Sequence, residues 1–187
     1  ANRHDFSKEP DLTLLDSIIE NGQMVIGIGK IKDIFAGRGV IESHSTINNE
    51  DGVDKILQVL QKDFNGLLFA NLVDFDQLYG HRNDPHGYAR ALEEFDQRLP
   101  EITNLLGPQD LFIITADHGC DPTTVSTDHS REYVPLLVYG MELQRGVDLG
   151  CRETFADVAA TIAEHLGIAY NLAGKSFYSC LVKNSET

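Results

Sequence analysis

Basic residues are scarce in this sequence: 15 Lys and Arg stand against 29 Asp and Glu, a formal net charge of −14 at pH 7 over 187 residues. That balance repels phosphate backbones and anionic lipid, and no Lys/Arg-rich patch compensates, so neither a nucleic acid nor a membrane surface is expected as a partner. Long hydrophobic runs are missing as well. The longest, such as GLLFANLV at 66–73, fall well short of the ~18 residues that mark a membrane span, and ANRHDFSKEP at the start does not read as a signal peptide. Cysteine is limited to Cys120, Cys151 and Cys180, an odd, widely spaced set in a chain too large to need staples. Free thiols in a reducing compartment, and hence a cytoplasmic location, are the expectation. Proline numbers only 6, while 42% of residues are hydrophobic and 24% charged, which excludes disorder and fibrous repeats. Internal repeats and low-complexity linkers are absent.

What the sequence does contain is an alternation of helical and strand-like segments. LTLLDSIIE at 12–20 repeats apolar residues at helical spacing behind Asp11, a good N-cap, and MVIGIG at 24–29 is a short apolar run suited to a buried parallel strand. Residues 52–62 place Val53, Ile56, Leu57 and Leu60 on one helical face, and 66–73 return as a second strand. A long amphipathic segment follows at 86–106, which Pro100 is expected to kink or break. LFIITA at 111–116 and VPLLVY at 134–139 are a third and fourth strand, and Thr154 with Asp157 opens a last helix that Gly167 closes. His165, near the end of that helix, is placed where a positive charge suits the dipole. The pattern predicts an α/β fold, three-layer α/β/α with a mostly parallel sheet. Ligands bind such sheets beyond the carboxyl ends of the strands, which directs attention to loops 74–84 and 117–130.

Those two loops hold the chemistry. The second strand runs into Asp74-Phe75-Asp76 and Gly80-His81, and the third into Asp117-His118-Gly119, with Asp128-His129 beyond. A single Asp or His at a strand end is ordinarily a cap or a solvated loop residue. Five of them, Asp76, His81, Asp117, His118 and His129, on two successive strand-end loops point instead to a metal site. Oxygen and nitrogen donors without thiolate favour Mn²⁺, Mg²⁺, Fe²⁺ or Zn²⁺ in an open catalytic site over a Cys-rich structural zinc, which makes Cys120 a neighbour rather than a ligand.

NLVDFDQLYGHRND at 71–84, LFIITADHGCDP at 111–122 and TDHSREYVPLLVY at 127–139 resemble the phosphopentomutase family of the alkaline phosphatase superfamily. The likeness extends from NRHDF at 2–6 and IGKIKDIF at 28–35 to the TFADVAATIAEHLG helix. It implies an alkaline-phosphatase-like core, present in part: residues 1–10 as the end of a cap region and its return linker, 11–187 as the carboxyl-terminal part of the metal-binding catalytic core. It implies an isomerase, an intramolecular phosphotransferase that interconverts the 1- and 5-phosphates of ribose and deoxyribose through a binuclear manganese site and a phosphothreonine. Two Mn²⁺ are the implied cofactors, with Mg²⁺ or another divalent ion as the alternative and a sugar bisphosphate as activator. By motif, Asp76, His81 and His129 resemble the ligands of one manganese, and Asp117 and His118 part of the set for the other. Lys30 and Arg3 resemble contacts to the substrate phosphate. The family's nucleophilic threonine and a further aspartate ligand match nothing in this chain; Thr115, Thr123, Thr124 and Thr127 do not fit the nucleophile motif. The resemblance therefore implies a missing amino-terminal half, and a fragment inactive by itself. Two alternatives remain beside it: another metal-dependent superfamily enzyme, a phosphoglycerate mutase or a phosphatase, or a non-catalytic metal-binding fragment.

Overall fold

The computed structural model describes residues 8–182. Its first helix, α1 (Leu14–Glu20), is capped by Thr13 rather than by the expected Asp11. Thr13 Oγ1 accepts from the Leu15 amide at 3.2 Å, and the Thr13 amide donates to Asp16 Oδ2 at 2.7 Å. This reciprocal arrangement satisfies donors that a helix start leaves unpaired. The buried side chains Leu14, Leu15 and Ile18 pack against β1 (Met24–Ile28).

Residues 25–28 of β1 are all buried, so the strand must be covered on both faces. Side chains alternate across a strand, and the two cores follow that alternation. Val25 packs with Leu14, Leu15, Ile18, Ala163 and Ile168, whereas Ile26 and Ile28 pack with Val53, Ile56, Val59 and Ile102. One cover is α1 with α5 (Ala156–His165); the other is α3 (Asn49–Leu60) with α4 (Pro85–Thr103). The three-layer α/β/α arrangement is thereby established around β1, which β2 (Glu42–His44) and β3 (Gly66–Ala70) flank in parallel, in the order β2-β1-β3. Short α2 (Ile31–Ile34) follows β1, and α6 (Tyr178–Leu181) lies near the end.

Several expectations need correction. β4 (Phe112–Thr115) and β5 (Leu136–Tyr139) pair antiparallel as a separate two-stranded sheet, and no ladder joins them to β3 among the described residues. The cause is the connection: a loop without a crossover helix brings β5 back against β4, and a parallel return needs a crossover. β3 ends at Ala70, not at 73, and α4 runs continuously through Pro100. Pro100 falls in the last turn of α4, where the carbonyl it displaces belongs to exposed Asp96 and water can satisfy it. Asp157 does not complete a capping box with Thr154; its carboxylate accepts from Arg152 Nε and from the Lys175 amide, each at 2.8 Å. His165 is half-buried and burial pushes its pKa down, which opposes the charged form expected at the helix end. Arg3 and most of the 1–10 segment lie outside the described residues.

Two stability outcomes follow. Thr13→Ala should cost about 1 kcal/mol, read from urea denaturation. The Lys175 amide bond, opposing burial, and the Arg152 guanidinium together hold the Asp157 carboxyl below its ordinary value. A carboxyl depressed in the folded state stabilises fully above its unfolded pKa of about 4 and loses that contribution as pH falls through the lower folded value. Asp157→Asn should therefore lower the melting temperature at about pH 6 and differ less from the parent at about pH 3.

Candidate metal centre

β1 and β3 run parallel, so their carboxyl ends open on the same edge of the sheet. At that edge Gly29 takes φ 76°, and a side chain there would approach Asn71 O within 2.5 Å; only glycine permits both the turn and the close passage. Lys30 comes next, exposed at the end of β1 as the N-cap of α2.

Beyond β3 the chain does not continue as a strand. Asp74 is clasped to α3: its amide donates to Asn49 Oδ1 at 3.0 Å, and its Oδ2 accepts from the Asn49 amide at 2.7 Å. Residues Phe75–Gly80 then form a single π-helical turn, closed by the His81 amide donating to Asp76 O at 3.0 Å. An i→i+5 bond of this kind is uncommon, is found in single turns at functional sites, and sets the side chains of Asp76 and His81 one above the other. Gly80 is required at its end, because a Cβ there would run into Cys120 Sγ and lie 3.2 Å from Phe75 O. The glycine lets the 117–130 loop seat directly on the turn.

That seating brings a third donor in. Asp76 Oδ1 lies 3.3 Å from His81 Nε2 and 3.3 Å from His129 Nε2, and one ligand atom from each residue falls within 4.8 Å of the others. Donors on a tetrahedral or octahedral shell with bonds of about 2.1 Å stand roughly 3.0–3.4 Å apart, so the observed spacing fits a shared cation. Two features strengthen the fit. Asp76 Oδ1 is buried and has no hydrogen-bond partner, a costly state for a carboxylate unless something else fills its coordination. His81 Nδ1 lies 2.5 Å from Thr127 O, which assigns the ring proton to Nδ1 and leaves the Nε2 lone pair facing Asp76, the usual support for a metal-bound imidazole.

The remaining predicted residues are arranged differently. His118 stacks on His129 with ring centroids 3.7 Å apart and planes at 19°, adjoining the cluster without joining it. The Asp117 side chain is 73% exposed and 3.7 Å from His118 Nε2. Lys30 shares the sheet edge, exposed at the start of α2. Burial pushes the Cys120 thiol up, and the Asp76 and Asp121 carboxylates add to it, which keeps the sulfur protonated at neutral pH and suits packing rather than ligation. Sequence reasoning missed Asn49, Thr127 and Asn83. Thr127 acts through a backbone carbonyl that leaves no mark in a sequence, Asn49 through its amide and side chain at a helix start, and Asn83 precedes the N-cap Asp84 without a motif of its own.

A model of the Metalloenzyme superfamily matches residues 23–170, which contain β1 to β5 and the whole cluster. The chain belongs to this superfamily. Among curated proteins, this metalloenzyme chain is 60% identical over 181 residues to the phosphopentomutase of Acetivibrio thermocellus, covering 96% of the chain and 47% of the relative. It is 61% identical over 179 residues to that of Carboxydothermus hydrogenoformans (95% and 46%) and 59% over 177 residues to that of Thermotoga maritima (94% and 45%). The resemblance to phosphopentomutases therefore holds over almost the whole chain, and the chain spans about half the length of these relatives. A solved structure of the PH0037 protein from Pyrococcus horikoshii superposes with a TM-score of 0.61 at 17% identity, covering 84% of this chain and 53% of that one, a likeness of fold.

The packing of the two metalloenzyme loops can be checked directly. Gly80→Ala should destabilise by about 1–3 kcal/mol through overpacking, and Cys120→Ala in the same molecule should recover most of that loss, as read by thermal melting of the single and double variants.

Proposed function

We propose that the protein carrying this chain is a phosphopentomutase, an isomerase that interconverts (deoxy)ribose 1-phosphate and (deoxy)ribose 5-phosphate in the cytoplasm. The observation that carries the reading is the buried, unpartnered Asp76 Oδ1 set between two imidazole nitrogens, in a chain about 60% identical to phosphopentomutases. In this reading Asp76, His81 and His129 hold one Mn²⁺, and Asp117 and His118 supply part of the shell of a second. The stacking of His118 on His129 favours two neighbouring ions, since it sets donors of the two shells side by side. When bound, divalent ions neutralise phosphoryl charge and orient it for in-line displacement.

The chain's own residues do the rest of the positioning. Thr127 O holds the His81 ring proton and the Asn49–Asp74 clasp fixes the start of the π-helical turn. Lys30 and Arg3 are assigned to the substrate phosphate; for Lys30 the support is its exposed place on the same edge of the sheet as the metal loops. The phosphothreonine and the remaining ligand of the second ion belong, in this reading, to the part of the protein that this chain does not span. By itself the chain is then inactive. An acidic chain with net charge −14 is no obstacle to an anionic substrate, because bound divalent ions dominate the local field.

Assays of the complete protein test the assignment. Ribose 1-phosphate should be converted to ribose 5-phosphate, activity should vanish with a chelator and return with Mn²⁺, and His81→Ala should lower kcat/KM by ~100-fold. Turnover of 3-phosphoglycerate or an aryl phosphate in place of the pentose phosphate would transfer the chain to a different enzyme class within the superfamily.

A further inference from the structure

Asn83 is one of two non-glycine residues with positive φ among the described residues, at 50°. Asparagine tolerates that left-handed conformation better than most side chains, yet it remains an uncommon and strained one. Nothing about continuing into α4 calls for it, since Asp84 caps that helix by accepting from the Gly87 amide at 2.9 Å. The conformation serves another contact. With its own amide donating to Gly80 O at 3.1 Å, Asn83 directs its side-chain Nδ2 to Thr124 O at 2.7 Å. Its Oδ1 is meanwhile buried without a partner. A strained backbone and a half-satisfied buried amide are both costs, and such costs persist where surrounding structure and function hold them in place.

Thr124 begins the stretch that carries the rest of the centre. Its hydroxyl donates within reach of Asp121 O and Ser126 O, at 3.0 and 3.2 Å, and the Asp128 amide donates to Ser126 Oγ at 3.0 Å. Three residues past the Asn83 contact, Thr127 O receives His81 Nδ1 at 2.5 Å; five past it, His129 reaches Asp76. The two loops are therefore joined at Asn83–Thr124, at His81–Thr127 and at Gly80–Cys120. Of these, the Asn83 contact alone is a hydrogen bond made by a side chain with no donor role toward a cation; Gly80–Cys120 is a packing contact.

We propose that Asn83 is a positioning residue for the metal centre: its left-handed backbone and its amide bond to Thr124 O fix the 124–129 stretch so that Thr127 orients His81 and His129 meets Asp76. This rests on the assignment of Asp76, His81 and His129 as ligands, and the test separates the two claims. The complete protein is titrated with Mn²⁺ alone, the free ion being followed by electron paramagnetic resonance. Asn83→Gly keeps the left-handed conformation without strain and removes the amide, so it should bind Mn²⁺ roughly 10–100-fold more weakly while the metal-free melting temperature stays close to the parent's. Unchanged Mn²⁺ affinity in Asn83→Gly, with His81→Ala strongly weakened, overturns the role of Asn83 alone. Parent-like binding in His81→Ala overturns the ligand assignment and the inference with it. Should Asn83→Gly fold poorly, Asn83→Asp tolerates the same backbone and lacks the donor. In its metal-free form the ¹⁵N resonances of His81 should lose the signature of a hydrogen-bonded Nδ1–H; retention of that signature overturns the proposal.

Discussion

β1 is buried on both faces, and the placement of everything else follows from covering it twice. A strand with Val25 on one side and Ile26 and Ile28 on the other cannot sit at a solvated surface, so helices must approach from both directions. That requirement sets the order α1, α5 against α3, α4 and makes its neighbours β2 and β3 parallel. Parallel strands end together. The loop after β1 and the loop after β3 therefore share one edge, and the passage of Gly29 against Asn71 O shows how closely the two are held there. Functional groups on that edge come from the topology of the core rather than from any local preference of the loops.

The edge by itself would bring only backbone turns together. Donors converge because the chain leaves β3 through a π-helical turn rather than an α-helical one. With the His81 amide bonded to Asp76 O, the four intervening residues span one wide turn and the two side chains fall on the same side. Gly80 then leaves a space that Cys120 occupies, so the second loop is pressed against the first and His129 lands beside Asp76. The centre is thus an outcome of packing between two loops, and its electrostatics follow from that packing. The Asp76 charge is one reason the Cys120 thiol and the Tyr88 hydroxyl are held above their ordinary values, after burial in both cases, so neither group competes as an anion for a cation held there.

Much of this was legible in the sequence because it rests on apolar periodicity. The faces of α3 and α4 and the runs forming β1, β3, β4 and β5 are local patterns with a direct physical meaning. β2 was not legible: Glu42-Ser43-His44 has no apolar alternation and is a strand only because the β1 backbone pairs with it. The direction of β5 escaped for a similar reason, since its sequence is that of a buried strand whichever way it runs. Helix starts were misplaced at Asp11 and at Thr154/Asp157 because several nearby side chains could cap and tertiary partners chose among them; Arg152 and the Lys175 amide claimed Asp157. At the site, the clustering of Asp and His on two strand-end loops identified the neighbourhood, and the structure draws Asp76, His81 and His129 together while leaving the Asp117 carboxylate in solvent. What supports those three could not be read in advance, because Thr127 contributes a carbonyl and Asn83 a backbone conformation.

The distribution of unsatisfied polar atoms carries the same point further. Folded proteins pair nearly all of their buried polar groups, and an exception calls for a physical reason. Among the described residues, the buried side-chain atoms without a partner include Asp76 Oδ1, Asn83 Oδ1, Asn49 Nδ2 and Ser130 Oγ, alongside Gln23 Oε1 and His165 Nδ1. The first four lie in the two metal loops or on the residue that clasps one of them to α3. Three of these residues are held through another group: Asn49 Oδ1 holds the Asp74 amide, Asn83 Nδ2 holds Thr124 O, and the Ser130 amide bonds Gly119 O. Poor packing would leave such atoms scattered through the interior. Here four of the six lie in the two metal loops or on Asn49, and Asn49, Asn83 and Ser130 are each held by a hydrogen bond through another group, which is the arrangement of a region completed by what it binds.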